Sequence, residues 1–376
     1  MTAMATPGPK NPTGRAMARV GRHAGRGGLR GWVLLVALVV LAVTGAAFVD
    51  GNDSGAVDRS EQGESPAPGS GAVPDPDRMF RAFKADSWWN TPLPNQTPLH
   101  PHADEILDYL RSAPQSGKGC LMLAGAGNSH WGTPLYWTTP ADPVYDIRGV
   151  KHDRPPELAE LRIPESARPA ANSDGTMSIY DLEKGYVVAL TNAHYHPADD
   201  TWSASGATVT YLDSNGLNVK TGRSDDPRNV GSHRGNNGAT MAVSWDQADK
   251  GEIRHVLKIA VGPEMADRHI FPMVGSDGDY EGDDPGVPPQ GLRMRIKASL
   301  QLDQFGLEKQ ALVIARALQR YGLYMGDSGG TTALKLENTR AEGRGQLWNL
   351  EADDLCGLPF TDEFWDVVAE DYDPTR

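Results

Sequence analysis

Between Gly119 and about Ser299, glycine or proline interrupts this chain every few residues, and the runs left between them are short and rich in Val, Ile, Thr, Tyr and Trp. They read TPLYWTT (133–139), TMSIYDL (176–182), GYVVALT (185–191), ATVTYLD (207–213), ATMAVSW (239–245), RHVLKIAV (254–261) and LRMRIKAS (292–299). A long helix cannot be sustained at such spacing, because Gly costs about 1 and Pro about 3 kcal/mol inside one. β-branched and aromatic residues pack well on a pleated surface, so the runs predict short strands joined by turns. The expected fold is all-β dominated: a β-sandwich, jelly-roll or concanavalin-like, with a few peripheral helices, preceded by one N-terminal transmembrane or signal segment.

Helical spacing is confined to the flanks. HADEILDYLRS (102–112) places Ile106, Leu107 and Leu110 on one face, and LEKQALVIARALQRYG (307–322) does the same with Leu307, Ala311, Leu312, Ile314, Ala315 and Leu318. Gly322 stands where a C-terminal cap belongs. LYMGDSGGTTALKLEN (323–338) returns to strand and tight turn, and FTDEFWDVVAEDY (360–372) predicts a last helix.

The N-terminus is organised differently. Residues 1–31 form a basic leader without an acid, and WVLLVALVVLAVTGAAFV (32–49) carries no charge. At about 1.5 Å per residue this run just reaches the length that spans a hydrocarbon core. The basic flank would stay in the cytoplasm, making 32–49 a signal anchor that contacts the membrane. A cleaved signal peptide is the alternative, with TGAAF supplying small residues near its end. Residues 50–77 are polar and read as a flexible linker. That leaves 78–376 as the extracellular domain of a membrane-bound or secreted protein.

The net charge of −13 understates the acidity of the exported part. The first 50 residues hold six Lys and Arg against one Asp, so the remainder stands at −18. Nucleic acid is excluded as a partner, since binding it needs a basic footprint. Cys120 and Cys356 are the only cysteines. Outside the cell they can form one bridge; two buried thiols are the alternative.

Several segments together resemble a group of uncharacterised secreted bacterial proteins. They are WNTPLP (89–94), GSHRGNNGATMAVSWDQADKGEIRHVLKIAV (231–261), GSDG (275–278), PPQGLRMRIKASLQL (288–302) and ALQRYGLYMGDSGG (317–330). The resemblance implies export and a shared fold, not a reaction. Sandwiches of the concanavalin or jelly-roll kind often bind or cut polysaccharides, which is an analogy at the level of fold.

Candidate chemistry falls in three loops. In TNAHYHPADD (191–200), a strand through VVALTNAHYH would put His194 and His196 on one face and Tyr195 on the other. This could be a cleft wall, a metal site needing a third ligand, or an exposed loop. SHRGNNG (232–238) brackets His233, Arg234, Asn236 and Asn237 with glycines. A base, a carboxylate-pairing cation and two amides in one loop suit a sugar acid; a plain hairpin loop is the alternative. His255 and His269 are further candidates for the cleft, as is Arg268, although His255 shares a face with Ile253 and Leu257 like a core residue. Asp277, Asp279, Glu281 and Asp283, with Asp284, crowd a Gly-rich turn that would suit calcium or simply be solvated. Eight of the nine tryptophans lie beyond residue 49, and Trp131 and Trp202 are candidates to stack on sugar rings.

The absences also constrain function. No E-x-D-x-E string supplies the paired carboxylates of a jelly-roll glucanase. The reading is a carbohydrate-active protein, as hydrolase or lyase, with a noncatalytic glycan-binding or envelope-interaction module as the alternative. For a lyase, Arg234 would neutralise a uronate carboxylate while His233 or Tyr195 takes the neighbouring proton and Asn236 or Asn237 holds the carboxylate.

Overall fold

A computed structural model describes residues 80–151, 154–231 and 234–376. The leader, the apolar run 32–49 and the linker therefore lie outside the described residues, as does His233. Among the described residues no helix is long and apolar enough to cross a membrane.

In chain order the elements begin with α1 (Ala103–Ser112), β1 (Met122–Ala124), β2 (Leu135–Trp137), β3 (Val144–Tyr145), β4 (Leu161–Arg162), β5 (Met177–Asp181), β6 (Tyr186–Thr191), β7 (His194–His196), β8 (Thr201–Ser203) and β9 (Gly206–Tyr211). They continue with β10 (Val230–Gly231), α2 (Trp245–Lys250), β11 (Leu257–Val261), β12 (Arg293–Ile296), α3 (Lys309–Arg320), β13 (Leu323–Ser328), β14 (Ala333–Lys335) and β15 (Trp365–Val367). Among the described residues strands dominate, in several sheets with few helices and no closed barrel. A six-stranded sheet runs β1-β14-β11-β13-β12-β15, and a five-stranded sheet runs β10-β9-β6-β5-β2. The pairs β3-β4 and β7-β8 stand apart.

The strand pairing is mixed in direction. A jelly roll is antiparallel throughout, whereas β1 with β14, β11 with β13 and β2 with β5 run parallel. Helices also cover one face of the larger sheet. Ile106, Leu107 and Leu110 of α1 and Ala311, Ile314 and Leu318 of α3 share a core with Leu257, Ile259 and Met325. Truncating a residue such as Ile314 to Ala should cost about 2–5 kcal/mol.

Local chemistry sets the helix ends. Ala113 precedes Pro114 and is extended, so α1 stops there. Gly322 follows α3 at φ +75°, and a Cβ on it would meet Met294 O at 2.4 Å.

Three segments depart from their sequence pattern. FTDEFWDVVAEDY contributes β15 instead of a helix, because Trp365 and Val367 alternate inward and Asp366 pairs with Arg295 of β12 at 3.1 Å. ATMAVSW forms no strand; it is a loop with a single bridge from Val243 to Leu336, tied through Val243 N–H to Lys335 O at 3.1 Å, and its Trp245 opens α2. VVALTNAHYH is two strands, not one. The break falls at Asn192, whose φ of +51° is a conformation Asn tolerates.

The five-stranded sheet has two unlike faces. Met177, Ile179, Val188, Leu190 and Val209 point into one core. On the opposite face Ser178, Ala189 and Thr208 lie in register across β5, β6 and β9. All three are small. Their row leaves room facing the helix-free side of the larger sheet.

Candidate active site

That room is a cavity of about 290 Å³, whose lining brings together Arg234, Lys258, Asp327 and Lys335. Lys258 reaches it because β11 alternates: Leu257 and Ile259 face the helices, so the residue between them faces the cleft. Tyr324 is its partner on β13. After that pair the register slips between Ile259 and Ala260, which sets Asp327 opposite Ala260. A bulge of this kind re-aims a side chain. Lys335 ends β14 on the same sheet.

Asp327 is the hub of the charges. Arg234 Nη1 lies 2.6 Å from its Oδ1 and Lys258 Nζ 3.4 Å from its Oδ2. Burial would raise the Asp327 carboxyl, but Lys258, Arg234 and Lys335 together hold it below its ordinary value. The Lys258 side chain is only 13% exposed. Burial, opposed by Asp327 and reinforced by Arg234 and Lys335, lowers its pKa below the ordinary 10.5. Arg234 also pairs with Asp277, which accepts a hydrogen bond from Ser328 Oγ at 2.9 Å and another from Gln290 Nε2.

Two adjacent amides hold the Arg234 loop. Asn236 Nδ2 donates to Gly326 O of the larger sheet at 3.0 Å. Asn237 Nδ2 donates to Val187 O at 3.3 Å and Thr210 Oγ1 at 3.2 Å of the smaller one. Gly326 itself is required by the lysine: a Cβ there would stand 2.8 Å from both Lys258 Cε and Tyr324 Cε2. Hydroxyls of Thr176, Ser178, Thr191, Ser205 and Thr208 line the opposite wall.

A second cavity of about 470 Å³ shares Lys335 with the first. Trp131 and Asp174 line it, and Lys335 Nζ lies 3.5 Å from Asp174 Oδ2 and 6.0 Å from the centre of the Trp131 ring.

Of the residues singled out in the sequence, Arg234 and Asn236 line the first cavity and Trp131 the second. Asn237 spends its side chain between the sheets. His194, Tyr195 and His196 are not brought to either cavity. They form β7, exposed along its length, with Tyr195 OH donating to Asp200 Oδ1 at 2.8 Å and His196 Nε2 beside Ser203 Oγ at 2.8 Å. Trp202 is no sugar platform, since its ring is buried against Tyr195. His255 is buried in the core with Val256 O and Gln247 Oε1 at its ring nitrogens, and burial pushes it down to about 4. His269 is exposed and makes a backbone bridge to Gln290, while Arg268 pairs with Glu370 at 2.6 Å.

The acidic turn does not gather into a calcium site. Asp277 is engaged by Arg234, and Asp279, Glu281 and Asp283 are exposed. Among the described residues no group of three or more His, Cys, Asp or Glu converges as metal ligands. His194 and His196 likewise meet no third ligand among the described residues. Cys120 and Cys356 are bonded, with Cα atoms 5.1 Å apart.

The sequence reading missed Lys258, Asp327 and Lys335. A signal was available: Lys258 is a charge inside an otherwise apolar strand, and such a residue needs a partner. Compared with known families, with curated proteins and with solved structures, the chain matches none.

Proposed function

We propose that the chain is an exported carbohydrate-active enzyme that cleaves an acidic polysaccharide by β-elimination. One observation carries the reading: Lys258, whose amine is shifted toward its neutral form, shares a concave cavity with Arg234 and Lys335. A proton beside a carboxylate is hard to remove until that carboxylate's charge is neutralised. The planar fork of Arg234 and the ammonium of Lys335 are suited to neutralise it, as groups placed where charge develops.

In the proposed step, neutral Lys258 Nζ takes the proton from the ring carbon that bears the carboxylate. The C–H electron pair becomes a double bond to the neighbouring ring carbon. The bond from that neighbour to the glycosidic oxygen breaks, and the departing oxygen receives a proton back from the Lys258 ammonium. The products are an unsaturated uronide and a chain ending in a hydroxyl, with no water consumed.

Hydrolysis is less well supported, because it needs a pair of carboxyl groups at the bond. Asp327 is the one carboxylate lining the first cavity among the described residues, and cations engage it. A noncatalytic glycan-binding module would present aromatic platforms in a shallow groove, whereas no aromatic side chain lines this cavity among the described residues. The disulfide agrees with an exported location, anchored through 32–49 or secreted.

The test is incubation of residues 78–376 with alginate, polygalacturonate and hyaluronan, with and without chelator, reading ultraviolet absorbance of unsaturated uronides. Absorbance with at least one polymer, lost in Arg234→Ala, is expected. New reducing ends without absorbance would mean hydrolysis. Binding without cleavage would mean a module.

A further inference from the structure

We infer that the second cavity, on the Trp131 side of Lys335, is a subsite for the sugar next to the cleavage point in the same acidic glycan. This rests on the elimination reading of the first cavity. Continuity is the first argument. Lys335 lines both cavities, and consecutive residues of β13 divide between them, Asp327 in the first and Ser328 in the second. Successive rings of one glycan would therefore meet successive cavities.

The chemistry of the walls is the second argument. Trp131 is 46% exposed. An indole left in water at the rim of a cavity offers a flat apolar face, which suits the C–H face of a pyranose. Asp174 can accept hydrogen bonds from ring hydroxyls, and Lys335 beside it can meet a second carboxylate. Gly330 leaves open space where a side chain would project, with nothing within 4 Å of its Cβ position. The first cavity, by contrast, has charge and hydroxyls but no aromatic face among the described residues. The pair is thus complementary: one cavity for the reacting uronate, one for its neighbour.

The test titrates the full chain and its Lys258→Met variant with oligouronates of one, two and four sugars, prepared from alginate and from polygalacturonate. Affinity should rise about tenfold or more along the ladder, and Trp131→Ala should erase that rise, a loss typical of a Trp anchor. In turnover, Trp131→Ala should raise KM and leave kcat nearly unchanged, with Trp131→Phe restoring most of the affinity. If Trp131→Ala binds every length as tightly as the parent chain while Lys258→Met abolishes turnover, the subsite is wrong and the elimination reading stands. If binding depends on Trp131 but no unsaturated product forms from any polymer, elimination is wrong and the cavity remains a sugar site. If no acidic oligosaccharide binds, both readings fall.

Discussion

Lys258 Nζ stands 3.4 Å from Asp327 Oδ2, a pairing between residues 69 positions apart that a slip in register makes geometrically available. The contact fixes the amine in the cavity, while burial draws it toward neutrality. Replacing Lys258 by Met keeps an unbranched apolar stem out to Cε and removes the amine proposed as the base. Turnover should drop by roughly 10²-fold or more, as for loss of a general base, with glycan binding retained. Steady-state kinetics beside calorimetric titration checks both halves.

The pH profile carries the sign of the same group. In the proposed elimination Lys258 would act as a base when neutral, so the rate should rise with pH along a limb whose midpoint lies below the ordinary 10.5. The positive charge of Lys335 helps to lower that midpoint. Lys335→Met should therefore move the limb to higher pH, besides weakening substrate binding. A limb that stays put or moves down would remove Lys258 from the role of base.

Gly326→Ala tests placement without touching any charge. The added methyl would meet Lys258 Cε and Tyr324 Cε2 at 2.8 Å, forcing the lysine aside. A displacement near 1 Å in a reacting group can cost about 10²-fold in rate. The expected result is a fall in kcat of that order with KM changed much less.

Stability should depend on pH through a second buried cluster. Glu337 and Glu342 both lie almost wholly inside the protein, joined by Arg344. Burial first, then each other's charge in the case of Glu342, pushes their carboxyls above the ordinary 4.5. The folded state therefore holds a proton that the unfolded chain has released, and stability falls as pH rises above about 4.5. Glu342→Gln keeps an acceptor for the Leu135 N–H, a bond of 2.7 Å in the native chain. Its melting temperature relative to the parent should improve steadily from pH 5 toward pH 9 in scanning calorimetry.

The Cys120–Cys356 bond closes a loop spanning 236 positions. Alkylation of denatured protein before and after reduction should differ by two thiols. Reduction should destabilise the fold by about 2–5 kcal/mol, the usual range for a native bridge. Equal labelling would show the cysteines unpaired in solution.

Local pattern was enough to place α1, α3 and most central strands, because each carries its own period of 3.6 or 2. It failed at FTDEFWDVV, where alternation of Trp365 and Val367 competes with helical spacing and only pairing with β12 decides. It failed again at Asn192, a single residue with positive φ inside an apparent strand. In the candidate site, Arg234, Asn236 and Trp131 were legible as unusual side chains in Gly-rich or exposed settings. Lys258 was marked only as a charge inside an apolar strand, and Asp327 and Lys335 not at all, since the parallel pairing of β11 with β13 and the antiparallel pairing of β11 with β14 are what bring the three together. The run 32–49, read from the sequence as an export segment, and His233 fall outside the described residues.

Asn236 and Asn237 are neighbours in the chain, yet one is tied to β13 and the other to β6 and β9. A dipeptide has a fixed span, so these two amides act as a ruler between the sheets. The gap can widen only by breaking one of the tethers, and then Arg234, two residues upstream, shifts with the loop. A glycan bound as proposed would therefore enter a cavity beside a loop tied to both sheets. For that proposed ligand, bulk at the ring substituents would then count as much as total chain charge.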